Sequence, residues 1–147
     1  MKFFEKIENI ISALDSNTKP EWGEMSPTHL LEHLIQSCNM IHQNNTKILI
    51  QEKYIEKAIA FLYTDKALQK GIKVDETIGY SFSIDESKDL ESLKTQLIAA
   101  VEKMVSFLET NSNFKAIHPY FGELNSEQWL LFQKKHFTHH LSQFGLL

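Results

Sequence analysis

Apolar residues recur at helical spacing along most of this chain, and few helix-breaking residues interrupt them. There are only three prolines and five glycines among the 147 residues. Such spacing predicts amphipathic helices that bury one face each. The sequence is therefore predicted to be all-α, with helices over residues 3–14, 26–42, 48–63, 86–110 and from about 125 to 144. Helices of this number and length around one core form a helical bundle.

Local signals mark where two of these helices begin and where the last one ends. Ser26, which precedes a proline, is a good N-cap for the second helix. Asn125 or Ser126 can cap the last helix, and Gln128 can reach back to complete a capping box. Gly145 is placed as a C-terminal stop.

Two stretches depart from helical spacing. Residues 72–84, within "GIKVDETIGYSFSI", alternate polar and apolar side chains, which predicts a short extended segment. Residues 110–124, "TNSNFKAIHPYFGEL", are predicted to be a loop. No internal repeat or linker divides the chain, and its length suits one core, so residues 1–147 are predicted to form a single domain.

The charge balance and the cysteine content exclude several classes of function. The net charge is −4 and no block of lysine or arginine stands out, which argues against nucleic acid as a partner. No apolar stretch approaches the roughly 20 residues that a membrane helix needs. The single cysteine, Cys38, cannot form an internal disulfide. Charges early in "MKFFEKIENIISALD" do not suit a signal peptide. A cytoplasmic protein with no membrane partner is expected.

The most informative motif is "KKHFTHHLSQFG", residues 134–145, which contains three histidines. Residues four apart on a helix point nearly the same way, so His136 and His140 form a pair. The apolar residues of this helix place that pair toward the buried side and His139 toward solvent. Two imidazoles at this spacing can bind one divalent metal ion.

Two ligands rarely suffice, so another must come from elsewhere in the chain. The periodicity of the second helix places Cys38 and His42 nearer its apolar stripe than His33, and therefore does not select His33. A plainer interpretation also stands, in which the histidines form a polar helix edge with structural hydrogen bonds. The candidates for a further ligand, besides several carboxylates, are His29, His33, His42, His118 and Cys38.

Two stretches, "WGEMSPTHLLEHLIQS" and "HPYFGELNSEQWLLFQKKHFTHHLSQFG", resemble the DinB-like superfamily, also called YfiT-like. Within it the second stretch looks most like a branch described only as a domain of unknown function. The resemblance implies a four-helix bundle with a divalent metal ion near one end of its core. It also implies which residues hold the ion, namely His33 from "LLEHLI" together with His136 and His140.

Three histidine ligands leave a coordination position open, which is typical of a catalytic metal. The resemblance implies a metal-dependent thiol S-transferase with a small-molecule or thiol substrate, and homodimers in some relatives. A hydrolase is the other activity expected of such a metal centre. Zinc, nickel, iron and manganese all accept imidazole, so the ion is not specified. The candidates to orient a ligand or to line the pocket are Gln143, His118 and Tyr120. The alternative is a non-catalytic bundle that binds a ligand or another protein, and the sequence leaves open whether the chain is an enzyme.

Overall fold

Five α-helices and one β-hairpin form the described part of this computed structural model, which comprises residues 1–71, 85 and 87–147. The helices are α1 (Ile7–Ile11), α2 (Pro27–Asn39), α3 (Ile55–Leu62), α4 (Leu90–Thr110) and α5 (Ser126–Gln143). Short 3-10 turns cover Phe4–Lys6, Met40–His42 and Glu52–Tyr54. The extended segment predicted at residues 72–84 lies outside the described residues.

Helix α4 lies at the centre of the packing, against α1, α2 and α5, while α5 also contacts α2 and α3. The prediction that the helix over residues 86–110 buries one face is confirmed for α4, because one stripe of this helix is buried. The buried residues of that stripe are Leu93, Leu97, Val101, Met104 and Leu108. In the part of the chain that the structure describes, no helix combines the length and the apolar character needed to cross a bilayer.

The predicted helix starts are confirmed by their caps. The Ser26 hydroxyl accepts a hydrogen bond of 3.0 Å from the backbone N–H of His29, and Pro27 is the first residue of α2. At α5 the Asn125 side chain accepts from the Gln128 backbone N–H while the Gln128 side chain accepts from the Asn125 backbone N–H. These reciprocal bonds satisfy two backbone donors that a helix start leaves without partners. Both caps define the first turns of the two helices that carry the histidines.

Three predicted helices are shorter than expected, for local reasons. The first is a 3-10 turn followed by α1, which ends at Ile11. Residues 48–51 are not helical because the backbone N–H groups of Leu49 and Ile50 both donate to the Pro119 carbonyl. Helix α4 starts at residue 90 rather than 86, since the Asp89 side chain accepts from the Ser92 backbone N–H and caps it there.

The described part of the chain is mostly helical, as predicted, but the prediction of a loop over residues 110–124 was wrong, because this segment contains a β-hairpin. Strand β1 (Lys115–His118) pairs with β2 (Gly122–Asn125) in antiparallel register, with Ala116 opposite Leu124. Two four-residue strands are too short for alternation to distinguish them from a loop. The hairpin is held by α5, where the buried Trp129 indole N–H donates to the Ala116 carbonyl at 3.3 Å.

Candidate metal centre

Helices α2 and α5 bring together the three histidines that the sequence analysis selected. His33 comes from α2, whereas His136 and His140 lie one turn apart on α5. The Nε2 atoms of His33 and His136 are 2.9 Å apart, across a sequence separation of 103 residues. One ligand nitrogen from each histidine can be chosen so that all three lie within 4.8 Å of one another.

Burial keeps these imidazoles neutral at ordinary pH. It lowers the pKa of His33 from 6.5 to about 3 and that of His140 to about 4, with neighbouring histidines adding to the depression. The pKa of His136 is also held well below 6.5, mainly by burial and then by His33 and His140. A neutral imidazole has one nitrogen lone pair to offer, which is the form that binds a metal ion.

The chemistry of this donor set suits a divalent cation. Imidazole nitrogens bind such ions at about 2.0–2.1 Å, so two ligands of one ion lie roughly 3 Å apart. The 2.9 Å between the Nε2 atoms of His33 and His136 is close to that separation. None of the three pKa values leaves a positive charge at neutral pH that would repel a cation.

Two buried polar side chains surround His136. The Ser37 Oγ atom, on the same face of α2 as His33, lies 2.9 Å from His136 Nδ1 and donates to Gln133 Oε1 at 2.8 Å. Gln133 Nε2 in turn donates to the Ser37 carbonyl at 2.8 Å. Ser37 and Gln133 are fully buried. They join α2 and α5 directly behind the histidine.

Gln143 makes the corresponding contact at His140. Its Oε1 atom lies 2.9 Å from His140 Nδ1, and its Nε2 atom donates to the Trp22 carbonyl at 3.0 Å. The backbone N–H of Glu21 donates to the Gln143 carbonyl at 2.7 Å, so the segment before α2 is tied to the end of α5. Gln143, predicted as a candidate to orient a ligand or to line the pocket, therefore contacts a candidate ligand histidine.

Gly23 gives Gln143 the room for this contact. Its φ is +75°, and a Cβ atom at this position would lie 2.9 Å from Gln143 Nε2. Gly71 has nearly the same φ, +74°, but a Cβ atom there would meet nothing within 4 Å. Substitutions at both positions meet the same backbone strain, but only a substitution at Gly23 also meets Gln143. Comparing the two therefore separates the two effects.

We expect Gly23→Ala to destabilise the fold by more than Gly71→Ala. Both changes should cost about 1–2 kcal/mol for a left-handed backbone, and only Gly23→Ala should also displace Gln143. Urea unfolding followed by circular dichroism measures the free energy of unfolding of each variant. Equal losses would show that Gln143 moves aside without consequence.

The other candidate ligands lie outside the three-histidine cluster. His42 is exposed, with its ring against Phe107. Cys38 is buried, and burial raises the pKa of its thiol to about 12, which leaves it protonated. His29 lies one turn before His33, with 6.5 Å between the ring centroids. His139 is half-buried rather than fully turned to solvent, because Trp22 packs edge-on against it.

His118 and Tyr120, the candidates from the hairpin loop, lie on the far side of an aromatic ring. Phe132 stacks on His136 with 5.5 Å between centroids and contacts the His118 ring at 4.2 Å on centroids. His118 is 4% exposed, and its Nδ1 accepts from the Tyr120 backbone N–H at 3.0 Å. This bond gives the histidine a role in shaping the hairpin turn.

Three groups at the centre were not among the residues predicted from the sequence, namely Ser37, Gln133 and the Trp22 carbonyl. For the first two a signal existed, since Ser37 lies four residues after His33 and Gln133 three before His136. That spacing puts each polar side chain on the same helix face as a candidate ligand. No sequence signal could identify Trp22, because it acts through its backbone carbonyl and lies 121 residues from Gln143.

A family model described as "Protein of unknown function (DUF1569)" matches residues 4–145. The match confirms the expected resemblance at the level of a domain of unknown function. No curated protein and no solved structure matches the chain significantly.

Proposed function

The chain belongs to the DUF1569 family, and we propose that it binds one divalent metal ion through His33, His136 and His140. The observation that carries this proposal is the convergence of three neutral imidazoles from two helices on one point. Ordinary buried histidines are satisfied by hydrogen bonds to the backbone or to other polar groups. Here three rings face one another, so their nitrogens share a single small space.

We also propose that the chain belongs to the DinB-like superfamily and shares its four-helix bundle. One histidine on an early helix and an H-x-x-x-H pair on the last one is the ligand pattern that the DinB-like resemblance implies. Helices α2, α4 and α5, with the shorter α1 and α3 beside them, supply the elements for a four-helix core with the cluster between α2 and α5. The small hairpin is then an addition beside α5.

We infer that the reaction class is transfer of a low-molecular-weight thiol, with hydrolysis as the other chemistry of the same centre. A bound divalent ion would supply Lewis acidity and lower the pKa of a thiol or water beside it. The protein's part is to hold the ion on three nitrogens and leave one side open. Support for an open side comes from partial exposure of all three histidines, since a sealed site would admit no substrate.

The metal content of protein purified without a histidine tag tests the proposal. We expect about one divalent ion per chain by inductively coupled plasma mass spectrometry, and loss of that ion in His136→Ala. His42→Ala is the matched control, because His42 is exposed and outside the cluster. In cobalt-loaded protein, a low-molecular-weight thiol should shift the visible absorption bands.

Three outcomes would contradict the metal site, its location or the thiol chemistry. Wild-type protein without an ion, even after incubation with zinc, nickel or manganese, would refute the metal site. An ion retained equally by His136→Ala would place it elsewhere in the chain, provided that circular dichroism shows a folded variant. Unchanged cobalt bands in the presence of thiol would remove the thiol chemistry and leave the metal site standing.

A further inference from the structure

The hydrogen bonds around His136 determine which of its nitrogens carries the proton. Gln133 Nε2 faces the Ser37 carbonyl at 2.8 Å, which can only accept, so the amide orientation is fixed. Gln133 Oε1 therefore faces Ser37 Oγ at 2.8 Å and takes the single hydroxyl hydrogen. The Ser37 oxygen is left to accept from His136 Nδ1, 2.9 Å away. His136 must then have its proton on Nδ1 and a lone pair on Nε2.

The same reasoning applies independently at His140. Gln143 Nε2 faces the Trp22 carbonyl at 3.0 Å, so the amide nitrogen is the donor there. Gln143 Oε1 consequently faces His140 Nδ1 at 2.9 Å and can only accept. His140 must also have its proton on Nδ1, which leaves the Nε2 lone pair unprotonated.

We propose that Ser37, Gln133 and Gln143 are positioning residues that hold His136 and His140 as Nδ1–H tautomers. Both rings then present an Nε2 lone pair to the ion. The tautomers of these two ligands are therefore fixed before the ion binds. This inference rests on the proposed metal site and assigns it a supporting shell of three buried side chains. Partners of this kind orient ligand histidines and affect affinity strongly.

His33 is the ligand whose tautomer must change when an ion binds. Because His136 Nε2 carries a lone pair, the 2.9 Å contact with His33 Nε2 requires a hydrogen on the His33 side in ion-free protein. To bind an ion through Nε2, His33 must release that hydrogen to water and take one on Nδ1, with no net change of charge. His33, His136 and His140 would then each offer a lone pair to one ion.

Nuclear magnetic resonance reads the tautomers directly in chelator-treated protein labelled with 15N-histidine. Two-bond 1H–15N correlations at pH 7.5 distinguish Nδ1–H from Nε2–H rings. We expect Nδ1–H for His136 and His140, and Nε2–H for His33. An Nε2–H pattern at His136 or His140 would overturn the assignment, whether or not the protein binds metal.

Variants then test whether the three side chains act through the histidines. Ser37→Ala should shift His136 toward the Nε2–H tautomer, leave His140 unchanged and raise the zinc Kd about 10- to 100-fold. Gln143→Met should do the same at His140, because methionine fills similar volume without accepting the bond. Gln143→Glu loses the donor to the Trp22 carbonyl but keeps an acceptor for His140 Nδ1, and His140 should retain the Nδ1–H tautomer.

The outcomes separate this inference from the metal proposal. Variants that lose folding stability while their tautomers and zinc affinity stay as in wild type would show a merely structural network and overturn the positioning role. Wild-type protein that binds no ion, yet shows the expected tautomers, would refute the metal site and leave the hydrogen-bond assignment intact. Zinc binding with the opposite tautomers would refute the positioning role alone.

Discussion

Acidification from pH 7 to pH 5 is expected to remove several kcal/mol of folding stability from the ion-free protein. Four histidines cause this, one fully buried and three partly buried, because each stays neutral in the fold but takes up a proton when unfolded. Burial lowers the pKa of His33 and His118 from 6.5 to about 3 and that of His140 to about 4. The pKa of His136 is lowered as well, again mainly by burial.

The sign of this pH dependence follows from the number of protons that each state binds. Between pH 6.5 and about 4 the unfolded chain binds more protons than the fold, so the free energy of unfolding rises with pH there. The contribution is complete above pH 6.5 and is lost as the pH falls toward the folded values. His33, His118 and His140 each contribute roughly 1 kcal/mol per pH unit in this window, and His136 contributes in the same direction. The total is a substantial part of the stability of an ordinary domain, about 5–15 kcal/mol.

Urea unfolding at pH 8, 7, 6 and 5, followed by circular dichroism after chelator treatment, measures this dependence. His118→Asn is the matched variant, because an asparagine oxygen can replace Nδ1 as acceptor for the Tyr120 backbone N–H. The free energy of unfolding of this variant should fall less steeply with acid than that of wild type. The difference between the two slopes should be roughly 1 kcal/mol per pH unit. A wild-type stability that is constant down to pH 5 would show that these histidines are protonated within the fold.

Trp129→Ala is expected to cost about 3–5 kcal/mol, the range for removing a large buried aromatic side chain. Trp129 is 0% exposed and lies at the junction of α5 and the hairpin. Its ring packs edge-on against Phe132 at 5.9 Å on centroids, and Phe132 in turn stacks on His136. The loss therefore combines a cavity with the loss of the hydrogen bond that joins α5 to the hairpin.

Trp129→Phe provides the comparison, since it keeps a smaller aromatic ring but removes the indole N–H and its hydrogen bond to Ala116. We expect a smaller loss, about 1–3 kcal/mol, chiefly from the unpaired carbonyl. Urea unfolding by far-ultraviolet circular dichroism measures both variants. Similar losses for the two would assign the stabilisation to the hydrogen bond rather than to the volume of the ring.

The features that the sequence predicted correctly all involve residues a few positions apart in the chain. The cap at Ser26, the capping box of Asn125 with Gln128 and the buried stripe of α4 are all local. The pairing of His136 with His140 is likewise a matter of helical spacing. Interactions over three or four residues are fixed by backbone geometry, which explains why they can be read without a structure.

What the sequence did not predict depends on distant contacts. Periodicity alone favoured Cys38 and His42 over His33, and the family resemblance was needed to select His33. Its approach to His136 is a property of how α2 and α5 pack. The hairpin was missed because the pairing of β1 with β2 and the anchor at Trp129 stabilise strands whose own residues give a weak signal.

The separation of 103 residues between His33 and His136 has a kinetic consequence. Bringing such distant segments together has a large loop-closure cost, so contacts of this kind tend to form late in folding. An interaction that is absent from the transition state slows unfolding but does not accelerate folding. An ion bound by these histidines would thus prolong the lifetime of the native state without guiding the chain toward it.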